Sequence, residues 1–351
     1  MHQFTGGEFI VMGVPGETLD KETAKIIESV QPSGFILFAR NIKAPAQLRK
    51  LTDDLRKVVA HEPIITIDQE GGRVSRLKEF MSEPPSAREL GQRADRSLIE
   101  RHGLITGKLL RLFGFNLNLA PVLDIELDEK NENSLKGRTY GTTIETVIAN
   151  AGAFAKGMKD EGVLCCGKHF PGYSSASVDP HNAMPTVNRT LEEMTQLEWV
   201  PFRKSLPILD AMMLGHVSYP LIDSSNLPAS LSPNVVRKIL RDEWKFTGCT
   251  VTDDMDMGAI VKGYGSAEAA AMALKAGNDL MLVCHNIQGI PEIARSMARV
   301  SRDVQEESHG RIEAMRKRLA KPSTFSTEQL DQLDAQVKQL RADTLELAGK
   351  A

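Results

Sequence analysis

Eight short apolar runs rich in β-branched residues punctuate this chain, and longer amphipathic stretches separate them. The runs are 9–14, 34–39, 64–68, 116–122, 163–167, 211–215, 249–252 and 279–284. Between them apolar residues recur at three- and four-residue spacing, as in Leu48, Leu51, Leu55 and Val58. That period predicts helices over 20–31, 45–61, 97–113, 143–161, 190–205, 232–244 and 266–277. A strand followed by a helix, repeated eight times, predicts parallel βαβ units. Two architectures satisfy that pattern, a closed (β/α)8 barrel and an open doubly wound sheet.

The placement of polar residues chooses between them. Asp68 ends the third run, Lys168 and His169 follow the fifth, His216 follows the sixth and Asp253 follows the seventh. An open sheet gathers its functional residues near one switch point, whereas a barrel draws them from the C-terminal ends of many strands. We therefore expect an α/β fold, a (β/α)8 TIM-barrel-like single domain over residues 1–351. Beyond Cys284, residues 288–320 and 326–347 predict helices separated by Lys321-Pro322-Ser323-Thr324. Ser326 with Gln329 at capping-box distance marks the start of the last one. We expect these C-terminal helices, about residues 286–351, to pack on the outside of the barrel or on a second chain.

Length alone, 351 residues, suggests about two domains at ~150 residues each. No Gly-Ser linker or composition shift divides the first 285 residues, however. Apolar residues at 41% and charged residues at 25% exclude disorder. The 43 basic and 46 acidic residues leave a net charge of −3 without charge blocks, so the sequence has no electrostatic footprint for nucleic acid or an anionic membrane. Cys165 and Cys166 are adjacent, and Cys249 and Cys284 sit in apolar runs, which argues against both a disulfide framework and a zinc site. The first residues lack a basic and apolar secretory signal, and no apolar run reaches ~18 residues. The expectation is a cytoplasmic monomer or homodimer acting on a small molecule, with no cofactor or metal and no nucleic-acid or membrane partner.

The glycine pairs exclude two further classes. Gly71-Gly72-Arg73 and Gly263-Tyr264-Gly265 fit neither dinucleotide nor phosphate loop patterns and read as sharp turns. Gly-x-Ser-x-Gly is absent, which removes the simplest serine-hydrolase reading.

Chemistry concentrates in four stretches. The first runs from Gly167 to Pro185, where a strand ending in Lys168-His169 leads into a loop carrying Asp179 and His181. In isolation Asp-x-His reads as a turn. After a Lys-His strand end it becomes a candidate pair in which the carboxylate orients one imidazole nitrogen and the other faces substrate. Pro180 restricts Asp179 to an extended backbone. The second stretch, Thr250 to Met257, places Asp253, Asp254 and Asp256 where a strand emerges. Asp254 and Asp256 are expected helix caps, and Asp253 the candidate nucleophile, since a carboxylate can trap a glycosyl cation. The third and fourth stretches are Ile65 to Arg76 and Lys136-Gly137-Arg138. Asp68 can accept from vicinal hydroxyls, while Arg76, Arg138 and Lys168 can donate to hydroxyls or an amide carbonyl. So many cations would repel a metal ion, which favours a polar sugar site.

These residues carry a resemblance. Leu37-Phe-Ala-Arg-Asn41, Asp68 to Arg76, Ala120 to Asp124, Gly167 to Gly172, Asp179-Pro-His181 and Thr252-Asp-Asp-Met-Asp-Met257 follow, in order, the markers of one family. The chain resembles the β-N-acetylhexosaminidases of glycoside hydrolase family 3, of the bacterial cell-wall recycling type. The resemblance spans residues 34–284 and implies a retaining mechanism with Asp253 as nucleophile and His181, oriented by Asp179, as acid/base. It implies that Asp68, Arg76, Arg138, Lys168, His169 and His216 bind a terminal N-acetylglucosamine of a carbohydrate substrate such as a peptidoglycan fragment. The chain departs from the family pattern at Tyr173-Ser174, where His-Gly is usual, at Pro180 and Met255, and at Lys136-Gly137. None of these removes a reacting group. Phosphorolysis on the same site, a non-catalytic sugar-binding protein, and a metal-dependent hydrolase using His169, His181 and His216 remain as other readings.

Overall fold

The computed structural model describes residues 3–93, 95–128, 134–176 and 184–348. In chain order its first half comprises β1 (Ile10–Gly13), α1 (Lys21–Val30), β2 (Gly34–Leu37), α2 (Pro45–Val58), β3 (Ile64–Ile67), β4 (Gln69–Gly71), β5 (Val74–Ser75), α3 (Ala87–Gly91), α4 (Arg96–Leu112), β6 (Leu117–Asn118) and α5 (Ile144–Asp160). The second half comprises β7 (Leu164–Phe170), α6 (Leu191–Gln196), α7 (Trp199–Ser205), β8 (Ala211–Leu214), a π-helix (Asn234–Glu243) and β9 (Cys249–Asp254). It closes with α8 (Gly258–Val261), α9 (Ser266–Ala276), β10 (Leu280–Val283), α10 (Ile290–Met297), α11 (Arg302–Arg316) and α12 (Thr327–Ala348).

Eight strands close into a barrel in the order β1-β10-β9-β8-β7-β6-β3-β2, all paired in parallel. The reason lies in the runs themselves. Ile64–Ile67, Ala211–Leu214 and Leu280–Val283 are buried at every position, because a parallel strand is covered by helices on one face and by the barrel core on the other. Two of the helices start on side-chain caps that the sequence supplies: Asp20 accepts from Glu22 N and Thr23 N, and Thr143 from Thr146 N.

Four elements differ from the periodicity. The strand expected over 116–122 shrinks to Leu117–Asn118, because Pro121 has no N–H to continue a ladder. Ala120 and Pro121 still accept from Cys166 N and Lys168 N at 3.0 and 3.1 Å, and Val122 bridges Lys168. β7 runs on to Phe170, so Lys168 and His169 lie within a strand and are aimed by it. The expected helices 190–205 and 288–320 each divide, the former at Leu197-Glu198.

The C-terminal helices lie on the barrel's flank. α11 packs on α9 and β9, and α12 packs on α4, with Leu330, Leu333, Val337 and Leu340 buried. Gln329 N donates to Ser326 Oγ at 3.2 Å, the cap that the spacing predicts. No helix among the described residues is long and apolar enough to cross a membrane.

Candidate active site

A cavity of about 230 Å³ opens at the C-terminal ends of the strands. Among its lining residues are Asp68, Arg76, Arg138, Lys168, His169 and Asp253, six of the side chains singled out from the sequence. Barrel closure brings them together from the ends of β3, β7 and β9, from the loop after β6 and, for Arg76, from the end of β5.

Lys168 is the hub. Its ammonium lies 2.7 Å from Asp68 Oδ1 and 2.5 Å from Glu70 Oε1, with the side chain almost wholly buried. Burial would depress the ammonium, but the two carboxylates outweigh it and hold Lys168 above its ordinary value. The same balance works on the acids. Burial favours neutral Asp68, and Lys168 with Arg76 overrides it, so Asp68 stays below the usual carboxylate range. Glu70 is driven far lower, against its burial, by Arg138 and Lys168. Arg138 grips it with Nε–Oε2 at 2.9 Å and Nη2–Oε1 at 2.8 Å, a bidentate pair.

Glu70 reaches Lys168 and Arg138 because the chain doubles back after Asp68. β4 and β5 form an antiparallel hairpin, and Gly71 and Gly72 turn it at φ +109° and +52°. A Cβ on Gly71 would meet the Pro85 carbonyl at 2.4 Å, so the close approach as well as the turn requires glycine.

His169 sits between Asp124 and Arg138. Its Nδ1 is 2.9 Å from Asp124 Oδ2, and its Nε2 is 3.3 Å from Arg138 Nη2. A guanidinium only donates, so Nε2 carries the lone pair and Nδ1–H donates to Asp124. Asp124 also accepts from the backbone N of His169 and of Tyr173, at 3.0 and 3.1 Å, which fixes the end of β7. The Tyr173 ring lines the cavity 4.9 Å from His169, and its hydroxyl is 3.1 Å from Ser134 Oγ.

The opposite wall is Asp253, half-buried, with Oδ1 accepting from Asp254 N at 2.9 Å. Asp254 and Asp256 do not cap a helix as the sequence suggested. Asp254 Oδ1 accepts from Cys284 N at 3.1 Å, and Asp256 Oδ2 accepts from His285 N and Asn286 N at 2.7 and 2.9 Å. The two carboxylates staple the end of β9 to the end of β10. Burial, with the neighbouring Asp256 carboxylate adding to it, pushes the Asp254 carboxyl up.

His216 does not line the cavity. It is fully buried behind it, with Nε2 donating to the Asp254 carbonyl at 2.9 Å and Nδ1 2.7 Å from Ser230 Oγ. Its burial depresses the imidazolium. The substrate contact expected of His216 is thus replaced by a backbone contact beneath Asp253–Asp254. The same observation counts against the metal reading, since His216 is committed to Asp254 and Ser230 while His169 faces a guanidinium. Asp179 and His181 lie outside the described residues.

Sequence reasoning gave no role to Glu70, Asp124, Tyr173 or His285. Glu70 and Asp124 carried a signal, an acid two residues from Asp68 and an acid closing the Ala120 to Asp124 marker. His285 carried none, although it lines the cavity and stacks on Phe38 with ring centroids 5.8 Å apart.

The sequence model described as the glycosyl hydrolase family 3 N terminal domain matches residues 5–320. The chain belongs to this family. As a glycoside hydrolase it acts on a carbohydrate, and its closed parallel barrel is the family's fold. A β-hexosaminidase of Pseudomonas aeruginosa is 36% identical over 279 residues, 79% of this chain and 82% of that protein. One from Idiomarina loihiensis is 34% identical over 293 residues, 81% and 86% of the two chains. Among solved structures, the glycoside hydrolase family 3 β-N-acetylglucosaminidase from Paenibacillus sp. superposes with a TM-score of 0.89 at 33% identity, covering 97% of this chain and 68% of that one. NagZ from Neisseria gonorrhoeae superposes at 0.82 with 27% identity, covering 94% and 97%.

Proposed function

We propose that this glycoside hydrolase is a retaining exo-β-N-acetylglucosaminidase acting as one catalytic domain on terminal β-linked N-acetylglucosamine, with peptidoglycan fragments as its substrate and the cytoplasm as its location. The observation that carries this reading is the shared cavity, which Asp253 lines together with acceptors and donors suited to sugar hydroxyls. The names of the relatives, β-hexosaminidase and β-N-acetylglucosaminidase, support the same substrate class.

In the first half-reaction an Asp253 oxygen attacks the anomeric carbon while the bond to the leaving oxygen breaks. That oxygen takes a proton from His181, which Asp179 orients. In the second, His181 takes a proton from water, the water oxygen bonds to the anomeric carbon, and the Asp253 ester bond breaks to restore the carboxylate. An imidazole suits both steps because its ordinary pKa lies near neutrality. It also leaves the nucleophile without a second carboxylate as its acid/base partner. Lys168, Asp68, Arg76, Arg138 and His169 hold the sugar, and His216 fixes the backbone beneath the nucleophile.

The test is turnover of an aryl N-acetyl-β-glucosaminide by wild type, Asp253→Ala and His181→Ala, with product analysis with and without phosphate. Both variants should lose activity by orders of magnitude, and the product should be free N-acetylglucosamine in either buffer. Four cavity carboxylates (Asp68, Glu70, Asp253 and Asp254) against three strong cations (Arg76, Arg138 and Lys168) disfavour a phosphate dianion. A sugar 1-phosphate would reassign the enzyme as a phosphorylase, and wild-type rates in both variants would sink the assignment.

A further inference from the structure

Glu198 lies outside the cavity, at the junction between α6 and α7, and is almost fully buried. Its carboxylate accepts from Ser175 N at 3.1 Å and from Ser175 Oγ at 3.1 and 2.9 Å. Arg189 Nε stands 3.4 Å from Glu198 Oε2 and donates to the same Ser175 Oγ at 3.0 Å. Ser175 precedes Asp179 by four residues, and Arg189 follows His181 by eight. One buried carboxylate therefore holds both ends of the segment on which the acid/base pair is carried.

The surroundings make this a fixed point. On the Ser175 side, Gly172 packs so closely that a Cβ there would stand 3.3 Å from Glu198 Cβ, and the Gly172 carbonyl accepts from the Tyr219 hydroxyl. On the Arg189 side, Val187 N donates to Ser218 O and Ser218 N to Pro185 O, both at 2.9 Å, which ties that end to the loop after β8. Burying a carboxylate is costly unless it is paired and hydrogen-bonded, and an apolar residue would fill the same space without that cost. Here burial pushes Glu198 up to about 7, while the Ser175 donors and Arg189 pull the other way.

We infer that Glu198 is a positioning residue for proton transfer, a buried anchor that sets the segment carrying Asp179 and His181 by clamping Ser175 to Arg189. The inference rests on the proposed role of His181, and it concerns geometry, since Glu198 does not reach the cavity.

Leaving-group dependence separates positioning from general support of the fold. A dinitrophenyl leaving group departs without a proton, whereas a phenyl leaving group needs one, so only the second depends on a correctly placed acid. Glu198→Gln in the full chain should lose about 10- to 100-fold in kcat/KM on the phenyl N-acetyl-β-glucosaminide and less than about threefold on the dinitrophenyl one. Ser175→Ala, which leaves the buried carboxylate in place, should show the same pattern at smaller amplitude, with melting curves confirming that both variants are folded. His181→Ala is the reference. Equal losses on both substrates, or none on either, in the presence of a leaving-group-dependent loss for His181→Ala, overturn the role of Glu198 alone. A flat response of His181→Ala overturns the acid/base reading and this inference with it.

Discussion

At the N-terminal end of the barrel Asp210 and Asp279 precede β8 and β10; at the C-terminal end Asp68 follows β3 and Asp253 closes on the cavity from β9. Both ends bury carboxylates against cations, but the pairing differs. Asp279 is fully buried, and both its oxygens are occupied: Oδ2 accepts from Arg241 Nη2 at 2.6 Å and Thr250 N at 2.8 Å, and Oδ1 from Arg311 Nε at 2.8 Å. Asp210 is engaged the same way by Cys165 N, Lys159 and Arg318. At the other end Asp68 keeps a partly exposed side chain, with Oδ1 on Lys168 and Oδ2 no nearer than 3.6 Å to Arg76. The N-terminal cluster has spent its hydrogen-bonding capacity on itself, whereas the C-terminal one keeps capacity for a ligand. In a (β/α)8 barrel the first serves stability and the second function.

Asp253→Ala should break the functional end most severely, with kcat lower by about 10⁴-fold or more and the melting temperature little changed. A loss below about tenfold would remove Asp253 as nucleophile. The mirror experiment is Asp279→Asn. It leaves Arg241 and Arg311 without their anion and should cost about 3–5 kcal/mol in denaturant unfolding, with kcat/KM of the folded fraction unchanged.

Asp68→Asn sharpens the contrast with an identical chemical change at the other end. Lys168 retains Glu70, so stability should move by about 1 kcal/mol or less, while kcat/KM should fall about 10²-fold from the lost hydroxyl acceptor. If chemical unfolding shows Asp68→Asn and Asp279→Asn equally destabilised, the two ends are not specialised as described.

The smallest effect concerns Glu198, which belongs to neither cluster. Burial raises its folded-state pKa from 4.5 to about 7. Between those values the folded protein keeps a proton that the unfolded chain has released, so this group's contribution to stability falls as pH rises. Glu198→Gln lacks that slope. The stability of wild type relative to Glu198→Gln should therefore drop by about 1–3 kcal/mol between about pH 5 and about pH 8, read from unfolding at each pH. A gap that widens in favour of wild type over that range would reverse the assigned sign.

Much of the barrel was legible because parallel strands buried on both faces read as unbroken apolar runs, and seven of the eight runs keep most of their length as strands. The run over 116–122 misled because Pro121 lacks the N–H of a regular ladder, although Ala120 and Pro121 still accept and Leu123 N still donates to Lys168 O across it. At the site, Asp68, Lys168 and Asp253 were legible as polar residues standing where apolar runs end. His216 looked equivalent to them but points behind the cavity. Position along a strand end does not disclose which way a side chain faces, and successive residues face opposite sides. Asp254 and Asp256 were misassigned for a related reason, because their partners Cys284, His285 and Asn286 lie about thirty residues away.

By itself the sequence determined the order and kind of elements, the closure into a barrel, and which chemical groups arrive at its C-terminal rim. The elements follow from local periodicity and from the burial that parallel strands require, and the closure and the rim groups from polar residues standing at the ends of many different runs. Only the tertiary structure decided which groups share the cavity and which support it. Lys168 and Asp68 are a hundred residues apart and meet because β3 and β7 flank the short β6, and Glu198 meets Ser175 and Arg189 because α7 packs under the end of β7. Contacts of that kind depend on the register of a closed sheet and on the seating of helices against it, and no residue's own neighbourhood in the chain encodes them.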